Sequence, residues 1–188
     1  MTTSAPAQAS GVVAPPPVPS LDREFEALFV AEFAFVCRTL QRLGVREADV
    51  NDIAQELFLA VFHSIGSWDR TRPLKPWLVG FAVRFASNYR RLAWHRGRAL
   101  DEDLTPPSPR MNDKLAAKRT VMRGLDALDF DKRVALVMHD LEELTAKEIA
   151  EQLGIPANTV SSRVRLAREA FRAAVKQVER ESEPKVTP

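Results

Sequence analysis

The stretch Thr145-Ala-Lys-Glu-Ile-Ala-Glu-Gln-Leu-Gly-Ile-Pro-Ala-Asn-Thr-Val-Ser-Ser-Arg-Val164 decides how this chain is read. Thr145 stands where a helix begins, and Glu148 follows three residues later, the spacing of a capping box. Ile149 and Leu153 share one face of that helix. Ala150 is small enough to let a second helix cross closely. Gly154 falls where the chain turns, at a place that favours positive φ. Ile155 plugs the turn, and Asn158 or a neighbour caps the next helix. In that helix Val160, Val164, Ala167 and Phe171 form an inner stripe, by steps of four, three and four. Ser161, Ser162, Arg165 and Arg168 are left for the outer side. Arg163 lies beside the buried stripe, which suits phosphate contact better than base contact. This is a helix-turn-helix. Its second helix has the short polar residues that admit a major groove and the arginines that read guanine or bind phosphate.

Outward from this motif the chain reads as helix. Leu21, Phe25, Leu28, Phe29, Phe33, Val36, Leu40 and Leu43 recur by threes and fours, one stripe of an amphipathic helix ended by Gly44. A second helix is predicted over 47–65, with Val50, Ile53, Ala54, Leu57, Phe58, Val61 and Phe62 turned inward. Residues 66–73 form a loop containing Trp68. A third helix carries Pro76 in its first turn, with Leu78, Phe81, Ala82, Phe85 and Tyr89 inside. Arg84, Asn88, Arg91 and His95 mark another of its faces. Pro106, Pro107, Pro109 and the acids Asp101, Glu102 and Asp103 interrupt helix propagation. Further helices are expected over 113–128, 131–141, 146–153 and 158–178. The fold class is all-α: two small helical domains, 21–98 and 113–180, joined by an acidic, Pro-rich linker at 99–112. Tails fall at 1–20 and 181–188.

Composition excludes several classes. Of 188 residues, 45% are hydrophobic and 28% charged, the balance of a globular chain. No apolar run approaches the roughly 20 residues of a membrane helix. Met1–Ser20 lacks a secretory signal's basic start and apolar middle, and its prolines and alanines suit a disordered tail. The lone Cys37 excludes an internal disulfide and fits a reduced, cytoplasmic protein. The net charge of +2 conceals patches. Arg84, Arg90, Arg91, Arg96 and Arg98 form one basic stretch, and Arg163, Arg165, Arg168, Arg172 and Lys176 another, while acids gather elsewhere. Such separation suits nucleic acid on some faces and a basic protein on others. His63, His95 and His139 have no ligand-like spacing, so no metal or other cofactor is assigned. His139 and Met138 read as packing residues. No nucleophile–base pair or phosphate-cradling glycine loop is present, so no catalysis is expected.

Three segments together resemble a known family. Asp52-Ile-Ala-Gln-Glu-Leu-Phe-Leu-Ala-Val-Phe62 is similar to the helix by which sigma factors grip the clamp of core RNA polymerase. Pro76-Trp-Leu-Val-Gly-Phe-Ala-Val-Arg-Phe-Ala-Ser-Asn-Tyr-Arg-Arg91 resembles the helix that faces the minus-ten promoter element, and Thr145–Arg168 the helix-turn-helix of the family's second domain. In order and spacing they resemble the two-domain sigma factors of the extracytoplasmic-function group, over about Phe25–Ala174. The resemblance implies a transcription initiation factor with two polymerase contacts, the beta-prime clamp and the beta flap. Asp52, Gln55, Glu56 and Leu59 would bind the clamp. Trp68, Arg84, Asn88 and Arg91 would serve the minus-ten element. Asn158, Thr159, Ser161, Ser162, Arg163, Arg165 and Arg168 would serve the minus-thirty-five element. Promoter melting would place a flipped base in the loop 67–72, where Trp68 either stacks on it or, the favoured alternative, packs the loop onto the domain. Trp77 would be core. Many relatives carry Asp where Asn88 stands. The linker would thread toward the polymerase active site. An anti-sigma protein is the further partner implied, with no direct membrane insertion. Rival readings are a dimeric helix-turn-helix repressor, a sigma mimic that titrates an inhibitor, and an all-helical nuclease, which the lack of an acidic cluster disfavours.

Overall fold

The computed structural model describes residues 20–95 and 113–182. The expected linker, Arg96, Arg98 and the tails up to 19 and from 183 lie outside the described residues. Among the described residues there are seven α-helices and no strand. The helices are α1 (Ser20–Arg42), α2 (Val50–Ser64), α3 (Leu74–His95), α4 (Asp113–Asp126), α5 (Phe130–Leu136), α6 (Ala146–Leu153) and α7 (Ala157–Ser182).

The first three helices pack on one another, and α4, α5 and α6 all pack on α7. Phe25, Phe29 and Phe33 surround Phe58, with ring centroids 6.4, 4.9 and 6.0 Å away. Four aromatics, with edge-on and stacked contacts to Phe58, lock α1 against α2. Phe62 touches Phe25 at 4.9 Å but remains partly exposed, being near the open end of this cluster. Gly44, at φ +97°, ends α1. There the Gly44 amide donates to Gln41 O at 2.9 Å and the Val45 amide to Leu40 O at 3.0 Å, the paired bonds of a glycine-closed helix end. Beyond the expected stripe, α3 also buries Val79, Val83 and Ala86, because it meets neighbours on more than one side.

The second half departs from a plain α-helical reading in one place. The helix expected to 141 leaves α-geometry after Leu136 and winds as a π-turn over Val137–Leu141. The Glu142 amide donates to Val137 O at 3.0 Å. This wider turn seats Val137 and Met138 in the core while directing His139 and Asp140 toward α7. His139 is half-buried, and its Nδ1 lies 2.7 Å from Asp140 Oδ1. Gly124 meets α7 so closely that a Cβ there would lie 2.6 Å from Phe171 Cε2 and 3.0 Å from Val175 Cγ2. Only a glycine permits that approach without a shift.

The halves touch through polar groups. Arg133, 2% exposed, extends from α5 and donates through Nε to Arg42 O and through Nη2 to Gln41 O at 3.2 Å. Its Nη1 meets Asp126 at 2.6 Å. Glu142 accepts from Arg42 Nη1 at 2.9 Å and from Thr39 Oγ1 at 3.1 Å. Gln152 of α6 donates to Pro76 O of α3 at 2.8 Å.

Candidate nucleic-acid interface

The turn between α6 and α7 has the local structure that its residues dictate. Thr145 accepts from the Glu148 amide, and Glu148 accepts from the Thr145 amide at 2.8 Å, a complete capping box. The Thr145 hydroxyl, which donates to Glu148 Oε2 at 2.7 Å, and then the Thr145 amide hold the Glu148 carboxyl below its ordinary range. Gly154 sits at φ +66°, and the Ile155 amide closes back on Ala150 O at 3.2 Å. The next helix begins at Ala157, so Asn158 lies inside its first turn rather than capping it. The backbone there is fastened by Pro156 O, which accepts from the amides of Thr159 and Val160. Val160, Val164 and Ala167 are buried and Phe171 is half-buried.

The opposite face of α7 presents Asn158, Ser161, Ser162, Arg165 and Arg168, all exposed, with Thr159 and Arg163 half-buried at its edges. Ser161 Oγ donates to Ala157 O. The three candidate arginines all have carboxylate partners within the chain. Arg163 pairs with Asp131 at 2.6 Å, Arg165 with Glu169 at 2.7 Å and Arg168 with Asp140 at 2.6 Å. Hydrogen bonds from Arg168, and then from His139, keep the Asp140 carboxyl below the usual range. Exposed pairs of this kind are weak, each worth at most about 1 kcal/mol. A phosphate can replace the carboxylate at small cost. A hollow of about 410 Å³ lies along this face between His139, Ser161, Arg165, Arg168 and Arg172. Glu169 stands at the i+4 spacing that announces its pairing with Arg165. Asp140 lies 28 residues from Arg168, and no sequence signal joins them.

In the first half, Arg84, Asn88 and Arg91 are exposed along α3. The Arg84 guanidinium lies over the Phe81 ring, 4.4 Å from its centroid, a cation–π contact that holds the side chain along the helix. Trp68 stacks on Trp77 at 6.2 Å, and Trp77 meets Phe81 edge-on at 4.9 Å. Trp68 thus packs its loop onto the helices, although its indole N–H is buried without an acceptor. Trp77 is half-buried. Trp68 and Arg84 both line a cleft of about 760 Å³ that also takes in Lys147, Glu151 and Gln152 of α6. The structure brings these two together, while Asn88 and Arg91 follow farther along α3. On α2, Asp52, Gln55, Glu56 and Leu59 are all exposed, and Leu59 is 62% exposed. An outward leucine flanked by acids and an amide gives α2 an acidic outer face with an apolar centre.

Two family models match the chain in order. Sigma-70 region 2 matches residues 28–96, and Sigma-70, region 4 matches residues 118–171. The chain belongs to the sigma-70 family, in its extracytoplasmic-function group. The sigma-70 region 2 match covers the α1–α3 half and the region 4 match the half that carries the helix-turn-helix. The chain is 28% identical over 166 residues to the ECF RNA polymerase sigma-E factor of Escherichia coli (strain K12), covering 80% of this chain and 86% of that one. It is 28% identical over 142 residues to the RNA polymerase sigma factor NccH of Alcaligenes xylosoxydans xylosoxydans, covering 71% and 76%. Two solved structures share the fold. The sigma factor RpoE, solved with the anti-sigma factor NepR from Bartonella quintana, has a TM-score of 0.67 at 18% identity, covering 82% of this chain and 98% of that one. CnrH, solved with the cytosolic domain of CnrY, has a TM-score of 0.61 at 24% identity, covering 83% and 90%. A sigma-70 factor of this kind is a promoter-specific transcription initiation factor and not an enzyme. No described helix is long and apolar enough to cross a membrane.

Proposed function

We propose that this sigma factor binds core polymerase through α2, reads and melts the minus-ten element with α3 and the loop before it, and reads the minus-thirty-five element with α7. The observation that carries the reading is the joint exposure of Asp52, Gln55, Glu56 and Leu59 on one side of α2, with its other side packed into the aromatic core. These four meet the beta-prime clamp. Arg84, Asn88 and Arg91 supply phosphate and base-edge contacts on α3, and Trp68 borders the place where a flipped base is received. Asn158, Thr159, Ser161, Ser162, Arg163, Arg165 and Arg168 supply the duplex contacts of α7. The half built on α7 also meets the beta flap. The protein works in the cytoplasm, where an anti-sigma protein restrains it. Complexes of that kind are what the RpoE–NepR structure depicts.

Co-elution of the full chain with sigma-free core polymerase tests this reading. A stable one-to-one complex, weakened by Glu56→Lys in a folded protein, supports it. Absence of a complex, with tight binding to duplex DNA alone, would identify a free-standing repressor instead.

A further inference from the structure

We infer that the cleft between α6 and the loop before α3 is a binding site for a small planar anion, a free nucleoside monophosphate. The site goes beyond the promoter-binding reading above and does not depend on it. The cleft holds about 760 Å³, within the range of small-molecule sites. One wall is aromatic. Trp68 and Trp77, both half-buried, stand 6.2 Å apart with their planes at 29°, and a flat ring can stack on such a wall. The Trp68 indole N–H is, among the described residues, the only buried side-chain donor without an acceptor. A buried donor left unpaired is costly. A heteroaromatic ring with acceptor atoms on its edge can supply the partner, and a hydrocarbon ring cannot.

The charges of the cleft select the sign of the ligand. Three carboxylates line it, and each is already engaged. Asp69 accepts from the amide and the hydroxyl of Thr71 at 3.0 and 2.7 Å. Glu148 accepts from the amide and the hydroxyl of Thr145 at 2.8 and 2.7 Å. Glu151 faces Arg72 at 3.6 Å, and Arg72 faces Asp69 at 3.7 Å. The other two cations of the lining, Arg84 and Lys147, have no carboxylate partner among the described residues. Arg84 rests on the Phe81 ring and reaches Gly80 O at 3.4 Å. Lys147 is exposed. A phosphate between them gains charge-assisted hydrogen bonds from both. Gln152 donates through Nε2 to Pro76 O at 2.8 Å and keeps its Oε1 as an acceptor beside Gly80, suited to a ring amino group. A stacking ring, acceptors and an amino group on its edge, and an attached phosphate together describe a nucleotide. Trp68 and Arg84 come from one half of the chain and Lys147 and Gln152 from the other, so the ligand bridges the two.

Equilibrium dialysis of the full chain against adenosine monophosphate and guanosine monophosphate, without polymerase or DNA, tests the site. We expect saturable one-to-one binding of at least one of them with a Kd below about 1 mM. Adenosine, which lacks the anion, and ribose phosphate, which lacks the ring, should each bind at least about tenfold more weakly. Lys147→Ala should weaken nucleotide binding by about tenfold in a chain whose circular dichroism matches the parent, and Lys147→Arg should retain it. The bound nucleotide should also raise the melting temperature of the parent and leave that of Lys147→Ala unmoved. Absence of saturable binding by both nucleotides, or equal binding by the parent and Lys147→Ala, overturns the proposal. Ribose phosphate binding as tightly as the nucleotides overturns it too, since the aromatic wall would then contribute nothing.

Discussion

Asp140 accepts two hydrogen bonds from Arg168, one from Nε at 2.8 Å and one from Nη2 at 2.6 Å. The bidentate pair ties the π-turn to the outer face of α7 and fixes the direction of the guanidinium. It also neutralises a charge on the outer face of α7, the surface proposed above to meet DNA. Asp140→Asn should therefore tighten binding to a minus-thirty-five duplex and steepen the salt dependence by about one unit of slope. Fluorescence anisotropy of the holoenzyme across a salt series measures both. Identical slopes for variant and parent would take Arg168 off the DNA.

Gly124→Ala should destabilise the α4–α7 contact. The added methyl meets Phe171 and Val175 at 2.6 and 3.0 Å, and overpacking of this kind costs about 1–3 kcal/mol. The helix-propensity gain of roughly 1 kcal/mol offsets only part of it. Denaturant unfolding should show the loss, and Phe171→Leu in the same chain should recover part of it.

Thr145→Ala removes one half of the capping box and leaves the Glu148 amide without its acceptor. A loss of about 1 kcal/mol is expected. Thr145→Ser should lie close to the parent, and thermal melting followed by circular dichroism distinguishes the two.

Acid should unfold the helix-turn-helix half early. Lys132 lowers the Asp129 carboxyl, Arg168 that of Asp140, and Thr145 that of Glu148. Each carboxyl binds its proton more weakly folded than unfolded, so unfolding takes up protons. The stability they confer is complete above the unfolded value of about 4 and is lost as pH falls through the lower folded values. Melting temperature should be flat from neutral pH to about 5 and drop below about 4. Replacing Asp140 by Asn should make that drop shallower.

Local features were legible because neighbouring residues cause them. The capping box of Thr145 and Glu148, the left-handed Gly154 and the outward stripe of α2 each depend on spacing within a turn or two. Arg133 was not legible. An arginine in an amphipathic helix reads as surface, and only the carbonyl end of α1, some 90 residues earlier in the chain, makes burial tolerable. Gly124 reads as a weak point in a helix until Phe171 is set against it. The arginines of α7 were correctly placed on the outer face, with Arg163 at its edge, but Asp131 and Asp140, which hold two of them, lie too far away in sequence to announce themselves.

The π-turn at Val137–Leu141 sets an angular phase. Such a turn holds one residue more than an α-helical turn, and one residue on an α-helix corresponds to about 100° of rotation. Everything after Leu141 is therefore oriented by that additional residue. Deleting a single position here would leave the composition almost unchanged yet swing Glu142 away from Thr39 and Arg42. The mutual orientation of the two halves is encoded in a count of residues as much as in their chemistry.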